Sequence, residues 1–438
     1  MKKILPLSLI LLLLAACGGA VDEAAPAERP VLTVATPTAA PALPLDSGPQ
    51  AELPPPLIAA PESAGEETPA ESNADGLPLW LPNHFGYGAQ AHAVVGDPAL
   101  TMYVLRNQLG LEWVKVQLEW PLVQPEPDVY NWFFYDGVVA EAQAHGLYLM
   151  FSIVNAPPWT RADGITHGPP DDYNDFANFL RQLLARYPQQ IQAIEVWNEQ
   201  NLDREWTTAA GIVPEDYVRF LALSYETIKS VDPNIIVISG ALSPTGEGDW
   251  VRWAHDFDYL DRALAAGMLN YSDCVGAHHN GYNVPPDVRV QDTNSLPKAQ
   301  TAYFRGPFDN QFTGDRPNHL WTFKSTIDGY VERIRQYDAD MMLCVTEFGW
   351  ASSEGYDVYP EGFGFAVDNT REEQAEYIVQ AFQLMRNSGD VWLAFLFNFD
   401  FGNKGGGPTD DPVPYSIVDT NGAPRPAFFA VADMAKTR

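Results

Sequence analysis

Two glutamates in this 438-residue chain stand where a carboxylate is costly to place. Glu199 ends the run Ile194-Glu195-Val196-Trp197-Asn198-Glu199, and Glu347 follows Cys344-Val345-Thr346. Each closes an apolar, β-prone stretch, and a carboxylate desolvated there needs a partner or a task. Two carboxyls that share a cleft have their pKa values pushed apart by proximity and burial. One then serves as an acid and the other as a nucleophile or base, which is what glycoside hydrolysis requires. Polar and aromatic residues collect at the ends of similar stretches: Glu119-Trp120, Pro157-Pro158-Trp159, His278-His279-Asn280-Gly281-Tyr282 and Phe348-Gly349-Trp350.

The elements that must position these groups follow from the hydrophobic pattern. Short β-rich runs fall at 84–89, 113–118, 147–154, 191–197, 235–240, 274–278, 341–346 and 392–398. Amphipathic segments separate them at 98–109, 136–145, 173–187, 214–231, 256–266, 321–337 and 371–388. Eight strands alternating with helices predict an α/β fold, a (β/α)8 TIM barrel. In such a barrel functional groups sit at the carboxyl ends of strands, and strands four and seven bring Glu199 and Glu347 to one cleft from opposite sides. No Gly-x-Gly-x-x-Gly follows the first strand and no phosphate loop is present, which argues against a nucleotide site.

Other residues have plainer readings. Glu195 shares the inward parity of Glu199 but lies deeper, and is expected to be a buried structural carboxylate paired with a base such as Lys115. Glu119 either meets substrate or caps a loop. His278 and His279 point to opposite faces of a strand, so a shared metal is not expected, nor is any cofactor. Asp203, Arg204 and Glu205 read as a solvated loop. Trp120, Trp159, Trp206, Trp321 and Trp350 lie at strand ends or in the loops beyond, where two or three are expected to stack on sugar rings. With His278 and Glu347 inward, strict alternation turns Cys274 inward and Cys344 outward, which predicts two free, buried thiols. The stretch 283–319 shows no strand or helix period, and its length suits a loop that shapes a cleft.

The motifs Ile194–Glu199 and Val345-Thr346-Glu347-Phe348-Gly349 resemble those of clan A glycoside hydrolases, (β/α)8-barrel enzymes related to families such as 5 and 39. The resemblance spans residues 84–435. It includes Tyr130-Asn131-Trp132 with Asp136, and Tyr415-Ser416-Ile417-Val418-Asp419 with Pro424-Arg425-Pro426-Ala427. It implies a retaining O-glycosyl hydrolase with Glu199 as general acid/base and Glu347 as nucleophile. Asn198 would hold the sugar 2-hydroxyl, and His278 would be the histidine usual on the sixth strand. Three positions depart from the pattern. Lys115 stands where the clan commonly has an arginine supporting the nucleophile, and it supplies charge without a planar fork. Asn280 and Tyr282 replace the expected tyrosine register, and Phe397 replaces a tryptophan on the eighth strand. With Trp159 and Trp350, these residues make up the expected substrate-binding set: Asn198, Lys115, His278, Tyr282, Trp159, Trp350 and Phe397.

The ends and the charge set the context. Residues 1–16 have two lysines, an apolar run too short to span a membrane comfortably, and small residues before Cys17, the pattern of an export signal. Leu14-Ala15-Ala16-Cys17 resembles the bacterial lipoprotein box, which implies lipidation of Cys17 and a membrane partner through that anchor. Residues 17–79 read as a disordered tether, since 18–79 hold twelve prolines, ten acids, one arginine and no aromatic residue. Residues 80–438 are expected to form the (β/α)8 catalytic domain. The whole chain carries 57 acids against 26 bases, a net charge of −31. Such acidity argues against nucleic acid and against polyanionic glycans. The expected substrate is a neutral, β-linked oligo- or polysaccharide, met at the cell surface or in the periplasm. The alternative is a carbohydrate-binding lipoprotein built on a barrel that no longer turns over.

Overall fold

A computed structural model describes residues 77–309 and 318–436. The predicted signal, Cys17 and the tether lie outside the described residues. Eight parallel strands run in the order β5-β4-β3-β2-β1-β8-β7-β6. They are β1 Gly86–Gln90, β2 Trp113–Glu119, β3 Tyr148–Val154, β4 Ala193–Val196, β5 Ile236–Ser239, β6 Val275–Gly281, β7 Leu343–Trp350 and β8 Val391–Leu396. Isolated parallel bridges, Ile238 to Cys274 and Leu242 to Ala277, join β5 to β6 and complete a nearly closed barrel. One principal helix follows each strand: α1 Pro98–Tyr103, α2 Phe133–Ala144, α3 Tyr173–Arg186, α4 Pro214–Val231, α5 Asp256–Ala265, α6 Phe323–Ile334, α7 Arg371–Ser388 and α8 Pro426–Asp433. The expected (β/α)8 barrel is the fold observed.

Local chemistry sets the helix starts. Asp97 accepts from the Ala99 N–H ahead of Pro98, Asp172 caps α3 through Asn174, and Thr370 with Glu373 forms a reciprocal capping box on α7. The outer strand faces and the helices share one continuous apolar core, in which Phe176, Phe179, Phe220, Trp197 and Trp206 are fully buried or nearly so.

Inside the barrel the side chains form two layers of different chemistry. The lower layer is apolar, with Trp113, Met150, Ala193, Ile236, Cys274, Cys344, Leu393 and Phe395 packed together. Gly88 on β1 makes room for it, because a Cβ there would collide with Phe395 and Trp113. Two residues further along β2, β3 and β4 lie Lys115, Ser152 and Glu195, all fully buried. The period of two thus puts polar and charged groups directly above a greasy floor.

Strict alternation fails within β7, and one expectation changes with it. Ala277 pairs with Val345 but His278 pairs with Glu347, so Thr346 is one extra residue on β7. A bulge of this kind reverses the parity of everything on one side of it. Cys344 therefore shares the inner face with Glu347 although they are three positions apart. It forms a disulfide with Cys274, with Cα atoms 5.8 Å apart, so the prediction of free thiols was wrong. Beyond the bulge alternation resumes, and Trp350 turns away from the cleft. It is fully buried against Phe323 of α6 and Tyr377 of α7, and its indole N–H donates to the Val284 carbonyl. Trp350 belongs to the core and not to a sugar platform.

The segment after β6 is more structured than its sequence suggests. Short turns of helix at Val290–Ser295, Lys298–Thr301 and Gly306–Phe308 close over Val284, Ala299 and Phe308. No helix among the described residues is long and apolar enough to cross a membrane.

Candidate active site

The chain leaves β4 through a tightly held turn. Trp197 and Glu199 adopt φ values of 77° and 41°, which side chains with a Cβ rarely take. The turn is pinned from several sides: Glu199 N–H donates to the Ala241 carbonyl, Trp197 Nε1 to the Glu205 carbonyl, and Gln200 Nε2 to the Gly240 carbonyl. The Tyr217 hydroxyl of α4 donates to the Val196 carbonyl. Backbone held in such a conformation by its surroundings aims Glu199 at the barrel axis.

Glu347 meets it from β7. His278 Nδ1 lies 3.2 Å from Glu199 Oε1 and 3.8 Å from Glu347 Oε2, so one imidazole nitrogen spans both carboxylates. The Lys115 ammonium is 3.0 Å from Glu347 Oε1 and 3.2 Å from Glu195 Oε2. The Thr346 hydroxyl donates to Glu195 Oε1 at 2.5 Å. The expected Lys115–Glu195 pair is present, and the same lysine also reaches Glu347. Asn280 Nδ2 donates to Glu347 Oε2 at 3.3 Å. Glu347 thus has a cation on one oxygen and an amide on the other.

Burial and charge oppose each other throughout this cluster. Burial pushes the Glu199 carboxyl up, but the His278 hydrogen bond and charge, with the Arg204 guanidinium, outweigh it and hold Glu199 down at about 2. Burial disfavours charge on His278, yet the Glu347 charge and the Glu199 hydrogen bond raise its pKa above the ordinary value. Burial likewise opposes charge on Lys115 and Glu195, and their mutual attraction reverses it in both, raising Lys115 and lowering Glu195.

Two residues outside the expected substrate-binding set touch the carboxylates. Asn280 stands in the sequence near the place of the clan's tyrosine, with nothing there to link it to Glu347. Arg204 was assigned to a solvated loop, yet its Nη2 lies 2.6 Å from Glu199 Oε2. Its neighbour Glu205 is half-buried, and burial together with the Glu199 charge raises its pKa to about 8. Contacts made by a loop folding back on its own strand end leave no period to read.

The remaining candidates are spread around the mouth. Asn198 is buried, and its Oδ1 has no protein partner. Tyr282 is half-buried and lines a cavity of about 420 Å³ beside Glu199. Phe397 is half-buried with its ring 5.7 Å from that of Tyr415; Gly349 lets its backbone approach β7 closely. Trp159 is half-buried and donates to the Gln124 carbonyl, with its ring edge-on to Trp120. Glu119 accepts from Gln117 Nε2 and Asn155 Nδ2. His279 faces away from His278, with Nε2 3.1 Å from the Leu320 carbonyl. Among the described residues, His255, Asp256 and His319 bring three metal-capable atoms within 4.8 Å of one another. His319 Nε2 and the Tyr330 hydroxyl already bond to Asp256, which satisfies that carboxylate without an ion.

No protein-family model matches this chain, and no curated protein matches it in sequence. Solved structures do resemble it. A family 39 glycoside hydrolase from the gut symbiont Bacteroides cellulosilyticus WH2 superimposes with a TM-score of 0.58 at 20% identity, over 82% of this chain and 65% of that one. This chain therefore spans just under two thirds of that protein's length. A family 39 β-xylosidase from Caulobacter crescentus gives 0.50 at 16% identity, over 81% and 72%. Xylanase B from Clostridium stercorarium F9 gives 0.50 at 15% identity, over 80% and 97%. At these identities the likeness is one of fold, a (β/α)8 barrel shared with glycoside hydrolases.

Proposed function

We propose that this protein is a retaining glycoside hydrolase acting on β-linked, neutral oligo- or polysaccharides. The observation that carries the reading is the pair Glu199, just past the end of β4, and Glu347, within β7, both within 4 Å of His278 Nδ1. Glu347 Oε attacks the anomeric carbon while Glu199 delivers a proton to the glycosidic oxygen; the C–O bond breaks and the alcohol departs. Water then attacks the glycosyl ester, Glu199 takes its proton, and Glu347 is released. Lys115 and Asn280 orient the nucleophile. The unpartnered Asn198 Oδ1 suits a sugar hydroxyl, whose hydrogen bond strengthens as positive charge develops on the ring. The neighbours named as β-xylosidase and xylanase make xylosides the first substrates to try.

The reading extends to export and anchoring through Cys17 at the cell surface or in the periplasm. The signal-like residues 1–16 support it, as does the Cys274–Cys344 disulfide, since such bonds persist in oxidising compartments. A second reading, a carbohydrate-binding lipoprotein without turnover, is favoured by one observation: the His278 and Arg204 contacts hold Glu199 ionised.

The deciding experiment is hydrolysis of a panel of aryl β-glycosides and xylo-oligosaccharides, with the first-formed anomer followed by proton NMR. The expected result is the β-anomer first, and loss of turnover in Glu347→Ala. An α-anomer first, or an undiminished rate in that variant, overturns the mechanism. Binding by calorimetry with no product supports the second reading.

A further inference from the structure

The loop after β4 returns to its own strand end. Leu202 N–H donates to the Glu199 carbonyl, and Asp203 N–H to the Arg252 carbonyl. Held by these bonds, Arg204 sets its guanidinium against Glu199. The two oxygens of Glu199 consequently differ: Oε1 faces His278 inside the barrel, and Oε2 is bonded to Arg204. The Arg204 side chain is 63% exposed, and its other ionic contact, to Glu205 Oε1, is long at 3.9 Å. The Glu199 pair is therefore its main tether, and little packing is lost if it swings away.

Arg204 and Glu199 together line the cavity of about 420 Å³, whose walls include Tyr282, Phe304, Trp321 and Phe365. These rings come from the loops after β6 and β7. Asn280 lines it as well as Tyr282, whereas Lys115, Asn198 and Phe397 do not. The cavity therefore opens from Glu199 toward Arg204 and the loops after β6 and β7, away from Lys115 and β8, and this is the side assigned to the leaving group. Aromatic faces suit an uncharged group with a flat face, by stacking and exclusion of water.

A leaving oxygen must come within hydrogen-bond reach of a protonated Glu199 oxygen. His278 on Oε1 and Arg204 on Oε2 together hold Glu199 as an anion, and of the two only the exposed Arg204 is free to swing away; while it holds Oε2, a guanidinium has no acceptor to offer the leaving oxygen. We infer that this cavity is the subsite for an uncharged, flat-faced aglycone, a pyranose or an aryl group, and that its occupancy displaces Arg204 from Glu199. Arg204 is then a positioning residue that ties protonation of the acid/base to a filled leaving-group side. The inference rests on the glycosidase reading for its chemistry. The other titratable groups around the pair are His278 of β6, Glu347 of β7, Glu205 of the same loop, Glu119 at the end of β2, and Asp411 in the loop after β8.

The test is a carboxyl carbon-13 NMR titration of the full chain labelled at glutamate, with Glu199 assigned by the signal lost in Glu199→Gln. The Glu199 midpoint should rise by about one pH unit or more in Arg204→Gln, about a tenfold gain in the protonated fraction. Arg204→Lys should restore it in large part. In the wild type, phenol or D-xylose, as fragments of an aryl or sugar aglycone, should also raise the midpoint, and Trp321→Ala should weaken that response. Coincident midpoints in wild type and Arg204→Gln overturn the clamp; no response to either fragment overturns its displacement. The titration needs no turnover. A wild type that hydrolyses no glycoside but shows the shifts sinks the glycosidase reading alone, and a hydrolytic wild type without them sinks this inference alone.

Discussion

The Lys115 ammonium lies 3.0 Å from Glu347 Oε1, and the lysine is fully buried. The same nitrogen is 3.2 Å from Glu195, so one cation serves two carboxylates on opposite sides of the barrel interior. A lysine can do this because its ammonium is a compact charge with three donors, whereas a guanidinium directs its donors in a plane. The contact of Lys115 with Glu347 ties the lysine to the proposed nucleophile as well as to the buried Glu195.

Removing that cation strands two buried carboxylates. Lys115→Met should cost about 3–5 kcal/mol of stability, the usual penalty for breaking a buried pair from one side. Denaturant unfolding measures the loss. An unchanged unfolding midpoint would show that Glu195 and Glu347 find other partners.

Glu199 should reveal itself through the leaving group. Glu199→Ala should lower kcat/KM about 10²–10⁴-fold for substrates whose leaving oxygen needs a proton. It should spare aryl glycosides with acidic phenols, and azide should rescue turnover as a glycosyl azide of retained configuration. A uniform loss across leaving groups would assign Glu199 a different role.

Glu205 gives the fold a pH dependence. Burial and the Glu199 charge lift it from 4.5 to about 8. A carboxyl whose pKa is higher folded than unfolded favours the native state in acid, and that advantage is lost as pH rises from 4.5 through about 8. Glu205→Gln removes this titration. Its Tm should therefore fall less than that of the wild type between pH 5 and pH 9, with the variant the more stable of the two at the alkaline end. Parallel melting profiles would show that Glu205 does not titrate in that window.

The disulfide should be visible in mass and in stability. Non-reducing peptide mapping should recover Cys274 linked to Cys344, and Cys274→Ala with Cys344→Ala should cost about 2–4 kcal/mol. Recovery of both as free thiols from protein purified without reductant would contradict the pairing.

The amino-acid sequence by itself determined the alternation of strands and helices, because hydrophobic period is a local property that neighbouring residues carry together. It also identified Glu199, Glu347, Lys115, Glu195 and His278, because a charged group in or at the end of an apolar strand is conspicuous wherever the chain later goes. Tertiary structure decided what depends on one residue of register or on a loop's return path. The extra residue Thr346 turned Cys344 inward to its disulfide. The turn after β4 brought Arg204 back onto Glu199, and β6 brought Asn280 to Glu347. A bulge follows from the fit between neighbouring strands, and a loop's path from the surface it packs on. Neither is written in the order of residues along one segment.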